Sequence, residues 1–206
     1  MKGQLWIVAA PSGGGKTSLI AETCRQLPKV IESVSHTTRE QRNGEIEGTH
    51  YYFVTKETFA AMRAQGDFLE CAEVFHNSYG TSAQQVDRLL AQGYDVILSI
   101  DWQGAQQVQA KRADVTSVFL LPPSLAALNE RLTNRGQDRS EIVQQRMQEA
   151  NAQIAHYVDF DYIIINDDFN RAAKELQALI IASRLQRQRC AEELAQLVDQ
   201  LAHDHY

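Results

Sequence analysis

The chain has 206 residues, 44% of them hydrophobic and 22% charged, so it can bury a full core as one globular unit with insertions, without disulfide or metal support. No apolar run approaches the ~18 residues of a membrane span, and a net charge of −6 argues against duplex nucleic acid as a partner, leaving polyanionic phosphates to local arginine clusters. Cys24, Cys71 and Cys190 are too few and too widely spaced for a disulfide framework or zinc site, and Met1-Lys2-Gly3-Gln4 leaves no room for a signal peptide, so a cytoplasmic location is expected.

The apolar run Leu5-Trp6-Ile7-Val8-Ala9 predicts a buried strand, and Ser18-Leu19-Ile20-Ala21 opens a helical pattern. Between them lies Ala10-Pro11-Ser12-Gly13-Gly14-Gly15-Lys16-Thr17, a phosphate-binding loop in the strand–loop–helix setting that such a loop requires. Ala10 stands where the usual pattern has its first glycine. Adjacent glycines let backbone N–H groups face inward, and the helix N-terminus adds partial positive charge. Lys16 is then placed to reach the β- and γ-phosphates of a nucleoside triphosphate and the Thr17 hydroxyl to ligate Mg²⁺. The loop alone does not separate a kinase from a hydrolase or a switch.

A first helix fading near Gln26-Leu27-Pro28 precedes a strand over Val30-Ile31-Glu32-Ser33-Val34-Ser35. The polar stretch from Ser35 to Glu45 carries Arg39 and Arg42, which could clamp a phosphate or simply decorate a solvated loop; composition leaves both open. Tyr51–Val54 and Phe68–Phe75 read as strands, separated by a helix from Lys56 to about Gln65 that Thr55 caps and Gly66 stops. Turn signals around them suggest a small β-rich insertion, which Tyr79-Gly80-Thr81-Ser82 ends. Ser82 with Gln85 forms a capping box for a helix from Ala83 to Gln92.

Asp95-Val96-Ile97-Leu98-Ser99-Ile100-Asp101 reads as a central parallel strand delivering the Asp101 carboxylate to the sheet's carboxyl edge. A helix starts at Trp102, a buried strand follows over Val115–Leu121, and Pro122-Pro123-Ser124 precedes a helix from Leu125 to about Thr133. Strands alternating with helices predict a parallel α/β sheet. The arginine-rich turn from Arg131 to Ser140, with Arg146 beyond it, suits a lid over phosphates. The last strand is Tyr162–Ile165, with Asn166-Asp167-Asp168 at its end, and the leucine spacing beyond Phe169 predicts a helix packed on the sheet or on another subunit, which leaves a homo-oligomer open. His203-Asp204-His205 is the sole chelating spacing and reads as a frayed tail.

Taken together, the residues at 10–17 and 35–45, Tyr79-Gly80-Thr81, Ile100-Asp101-Trp102-Gln103-Gly104, Arg131 with Arg135-Gly136, and Asn166-Asp167-Asp168 resemble the guanylate kinase family, bacterial type, over nearly the whole chain. The resemblance implies a P-loop nucleoside monophosphate kinase fold, with a parallel core sheet flanked by helices on both faces. Its core would comprise residues 1–32 and 94–206, its GMP-binding insertion 33–93, and its helical lid about 131–146. The implied reaction is transfer of the γ-phosphoryl of ATP to GMP with Mg²⁺, giving GDP and ADP.

By position, Ala10 through Thr17 and Asn166 match the ATP site, although Asn166 is equally well a strand-end cap. Arg39, Arg42, Tyr51 and Tyr79 match the residues that hold the GMP phosphate, with Glu45 beside them, and Ser35, Glu70, Thr81 and Asp101 those that read guanine. Lys16, Arg39, Arg131, Arg135 and Arg146 match the groups that stabilise the phosphoryl in flight. The sequence departs from the family pattern at Ser99, where an acid is common, and at Ser78, where a tyrosine is common. Non-catalytic peptide-binding domains and kinases of other phosphorylated acceptors share the fold; the intact phosphate loop speaks against the former, and Glu70, Thr81 and Asp101 against the latter.

Overall fold

The apolar runs become strands because each is short, bounded by turn residues, and covered on both faces by amphipathic helices. The computed structural model describes residues 2–74, 76–134, 147 and 150–203. In chain order the elements are β1 (Leu5–Ala9), α1 (Lys16–Gln26), β2 (Val30–Glu32), β3 (His36–Thr37), β4 (Tyr52–Phe53), α2 (Lys56–Gln65), β5 (Phe68–Val74), β6 (Asn77–Ser82) and α3 (Ala83–Ala91). They continue with β7 (Asp95–Ser99), α4 (Trp102–Lys111), β8 (Val115–Leu121), α5 (Leu125–Asn134), a 3-10 turn (Ala155–Asp159), β9 (Tyr162–Ile165), α6 (Phe169–Arg184) and α7 (Ala191–His203).

Five strands form a parallel sheet in the order β2-β7-β1-β8-β9. Period-two alternation sends Trp6 and Val8 to one face, against Leu19 and Ile20 of α1 and Leu176 and Ile180 of α6. Leu5, Ile7 and Ala9 face the other side, against Val86 and Leu90 of α3 and Ala105 and Val108 of α4. Full burial of each such side chain stabilises by roughly 1.5–3 kcal/mol, so the two apolar layers fix the register of the strands. The order reverses around β1, and the crevice at its carboxyl end is where ligands bind in open α/β sheets.

A second sheet, β4-β3-β6-β5, projects from that crevice. Its small core includes the stacked rings of Phe59 and Phe68, 4.6 Å apart, and His36 on Tyr52, 4.9 Å apart. Thr55 caps α2 by accepting from the Thr58 amide, Gly66 ends it at φ 78°, and Ser82 caps α3 by accepting from the Gln85 amide.

Four sequence expectations are corrected. The strand expected over Val30–Ser35 divides into β2 and β3, which belong to different sheets, because the chain crosses at Ser33–Ser35 from the core to the projecting sheet. Tyr79–Ser82 is part of β6, the strand that pairs with β5, and not merely a segment end. The strand leading to Asp101 stops at Ser99, and Asp101 caps α4 by accepting a 2.8 Å hydrogen bond from the Gly104 amide. The single C-terminal helix is two, α6 and α7, and among the described residues only those of α6 join the core. In addition, α3, inside the 33–93 stretch, packs on the core sheet, so the projecting sheet ends at Ser82. The three cysteines are half-buried and unpaired.

At the opposite edge of the core, Asp95 is 1% exposed and is held by Arg184 Nε and Arg189 Nη2, each at 2.7 Å, and by the Gln4 amide at 2.8 Å. This clasp ties the end of α6 and the turn after it to the start of β7 and the approach to β1.

Candidate active site

The loop after β1 curls because Gly13 and Gly15 adopt left-handed φ values of 82° and 90°. At Gly15 a side chain is also excluded by contact, since a Cβ would lie 2.4 Å from Asn166 Nδ2. Asn166, 4% exposed, braces the loop from beneath by donating to the Gly14 carbonyl at 2.8 Å. The Ser12 amide donates to Gln153 Oε1 at 3.2 Å. Arg131 Nη2 donates to the Asn166 carbonyl at 2.7 Å, while its Nη1 is buried with no partner among the described residues.

Lys16, in the first turn of α1, donates to the Ile100 carbonyl at 2.9 Å. Burial lowers its pKa, and the carboxylates of Asp101, Glu32 and Glu70 act against that shift. The loop therefore brings a cation, oriented amides and a helix N-terminus to one place. That is what a polyphosphate requires.

A cavity of about 300 Å³ runs from Thr17 on the phosphate loop, past Glu32 and Ser99, to Ser35, Tyr51 and Thr81 on the projecting sheet. At its far end Thr81 donates to Glu70 Oε1 at 2.6 Å, and the Thr81 and Ser35 hydroxyls lie 3.5 Å apart. Glu70 is 5% exposed; burial raises its pKa, with Asp101 adding to the shift and the Thr81 hydrogen bond opposing it. Gly104 permits this approach, because a Cβ there would stand 3.2 Å from Glu70 Oε2.

Arg39, Glu45, Tyr51 and Tyr79 form a second cluster. Arg39 donates to Glu45 Oε1 at 2.6 Å, lies 5.4 Å from the Tyr51 ring centroid and hydrogen-bonds Tyr79, whose ring is 5.9 Å from that of Tyr51. Glu45 also accepts from the Arg42 amide, and Arg39 holds its carboxyl down to about 2. Glu45 thus orients the two arginines' loop, while the Arg42 side chain is exposed. Arg135 and Arg146, and with them most of the expected lid, lie outside the described residues.

Sequence reasoning missed Glu32 and Gln153. Glu32 is half-buried at the carboxyl end of β2 and hydrogen-bonds Ser99; burial raises its pKa, opposed by that bond and by Lys16. Its signal was available, since a carboxylate ending a core strand sits where parallel sheets place ligands. Gln153 carries no sequence signal.

The sequence model of the guanylate kinase family matches residues 2–183. The chain belongs to the guanylate kinase family. It is similar to "Guanylate kinase" of Pseudomonas fluorescens strain Pf-5, with 50% identity over 199 residues covering 97% of each chain. The corresponding protein of Legionella pneumophila strain Lens is also 50% identical, over 95% of this chain and 94% of its own. Among solved structures, guanylate kinase from Anaplasma phagocytophilum superposes with a TM-score of 0.72 at 31% identity, covering 94% of this chain and 93% of that one. Family membership accords with the α/β core and its phosphate loop, and no helix among the described residues is long and apolar enough to cross a membrane.

Proposed function

We propose that this guanylate kinase family member transfers the γ-phosphoryl group of ATP to GMP, with dGMP as a second acceptor, in the cytoplasm. The observation that carries the reading is the continuity of one cavity between the Thr17 end of the phosphate loop and the Ser35–Thr81–Glu70 hydrogen-bonded chain. Donor and acceptor subsites that open into each other suit direct transfer between two nucleotides.

Guanine offers N1–H and N2–H₂ donors side by side, which the Glu70 carboxylate can accept together; adenine presents an acceptor at N1 and is repelled. Buried polar groups left unpaired by the wrong base can give discrimination on the order of 10⁴. Arg39, Arg42, Tyr51 and Tyr79 supply donors for the acceptor's phosphate. That phosphate is itself the nucleophile and is largely ionised near neutral pH, so no side chain has to remove a proton. Catalysis reduces to alignment and charge neutralisation by Lys16, the loop amides and the buried Nη1 of Arg131, which has no partner among the described residues. Thr17, Ser99 and Glu32 present oxygen donors only, as a hard cation prefers; Mg²⁺ held among them and the phosphates would neutralise charge on the phosphoryl oxygens.

The test is an acceptor screen with ATP and GMP, dGMP, AMP, UMP or ribose bisphosphate, reading ADP formation. GMP-dependent turnover with AMP and UMP near background is expected. Equal ADP release without an acceptor, or preference for a sugar phosphate, would overturn the assignment.

A further inference from the structure

Strand β5 is irregular where it reaches the acceptor site. Phe68 pairs with Ser82 and Glu70 with Thr81, so two steps along β5 match one step along β6 and Leu69 is the extra residue of a bulge. Adjacent residues on β6 face opposite ways, so the bulge puts Phe68 and Glu70 on opposite faces. In a regular strand both would share a face, and Glu70 would point into the aromatic cluster of Phe68, Phe59 and His36. The bulge instead turns the carboxylate toward Thr81 and sends Leu69, 4% exposed, into the core beneath α4.

As the edge strand of its sheet, β5 has outward backbone groups without ladder partners, and α4 supplies them on both sides of the bulge. Gln107 Oε1 accepts from the Cys71 amide at 3.0 Å and Gln107 Nε2 donates to the Cys71 carbonyl at 3.1 Å, so the side-chain amide imitates a neighbouring strand. One turn further, Lys111 Nζ donates to the Phe68 and Leu69 carbonyls at 2.9 and 2.8 Å. The backbone on both sides of Glu70 is therefore fastened to the helix whose N-cap is Asp101 and whose Gly104 abuts the Glu70 carboxylate. One rigid element sets the spacing of the two acids.

We infer that Gln107 and Lys111 are positioning residues for guanine selection, holding the β5 bulge that turns Glu70 toward Thr81 at the wall of the acceptor cavity. The inference rests on the reading of Glu70 as the guanine-accepting carboxylate. Gln107 is half-buried and carries the larger share, whereas Lys111 is an exposed residue.

The experiment measures kcat and KM for GMP and for IMP, which lacks the 2-amino group, in Gln107→Leu, Lys111→Met, Lys111→Arg and Glu70→Gln, with KM for ATP and a thermal melt for each. In Gln107→Leu, KM for GMP should rise about tenfold. Its preference for GMP over IMP should shrink while KM for ATP holds. Lys111→Met should move the same way by less, and Lys111→Arg, which keeps the donors, should restore it. Wild-type GMP constants and GMP/IMP preference in both Gln107→Leu and Lys111→Met overturn the inference, whatever the melts show; if Gln107→Leu does not fold, Lys111→Met against Lys111→Arg decides. Loss of preference in Glu70→Gln alone overturns only the positioning role, whereas retained preference in Glu70→Gln overturns the reading of Glu70 and the inference with it.

Discussion

Glu32 and Ser99, at the carboxyl ends of neighbouring parallel strands, are hydrogen-bonded to each other and line the cavity that Thr17 enters. Ser99 stands where the family resemblance leads one to expect an acid, so the negative charge at this edge comes from the adjacent strand. A carboxylate near a hydrated cation holds its waters without direct ligation. Glu32→Gln should therefore raise the free Mg²⁺ needed for half-maximal binding of a fluorescent ATP analogue by about tenfold. An unchanged magnesium titration would remove Glu32 from this role.

Glu70 and the pH dependence of stability are linked. Burial raises the carboxyl's pKa, so the folded chain holds this proton more tightly than the unfolded chain. The penalty is absent below the ordinary carboxylate range, grows as pH rises from that range to the raised value, and is constant above it. Glu70→Gln keeps an acceptor for Thr81 and removes the charge, so it should raise Tm by about 2 °C near neutral pH. Near pH ~4 the gain should vanish. A gain of equal size at both pH values would mean that charge is not the cause.

Lys16 rests on a backbone carbonyl and contributes little to the core. Lys16→Ala should lower kcat on the order of 10²–10³-fold. Its melting temperature should not fall below the parent's, because the group removed is one that burial already disfavours. Substantial residual turnover would argue against the phosphate-loop assignment.

Gln153 occupies a loop amide that a phosphate oxygen would otherwise accept from. Removing a competitor worth about 1 kcal/mol should tighten nucleotide binding. Gln153→Ala is expected to lower Kd for ATP about fivefold while leaving Kd for GMP unchanged. Weaker ATP binding, measured by calorimetry, would show that Gln153 assists the phosphates and does not compete with them.

Much of this architecture was legible in the sequence. Leu5–Ala9 and Gly13–Thr17 announce strand, loop and helix because each local preference agrees with the fold, and Thr55 and Ser82 mark helix starts through their own hydroxyls. The break at Ser33–Ser35 was hidden because β2 and β3 are both extended, and a change of sheet leaves no trace in local propensity. Likewise, the β5 bulge depends on a glutamine and a lysine some forty residues downstream. The Ser35, Glu70, Thr81 and Asp101 positions were reached by resemblance; the hydrogen-bonded chain from Ser35 through Thr81 to Glu70, and Glu45's hold on Arg39, needed the structure.

The Asp95 clasp also bears on the order in which the chain is made. The family match ends at residue 183, one residue before the first of the two clasping arginines. During synthesis, β1, β7 and β8 are all available while Asp95 still lacks both guanidinium partners, and a buried carboxylate without them is strongly destabilising. The core sheet therefore cannot reach its final packing at the β7 edge until Arg189 has emerged. Completion of the β7 edge therefore waits on a segment made after β9, rather than following the strands as they appear.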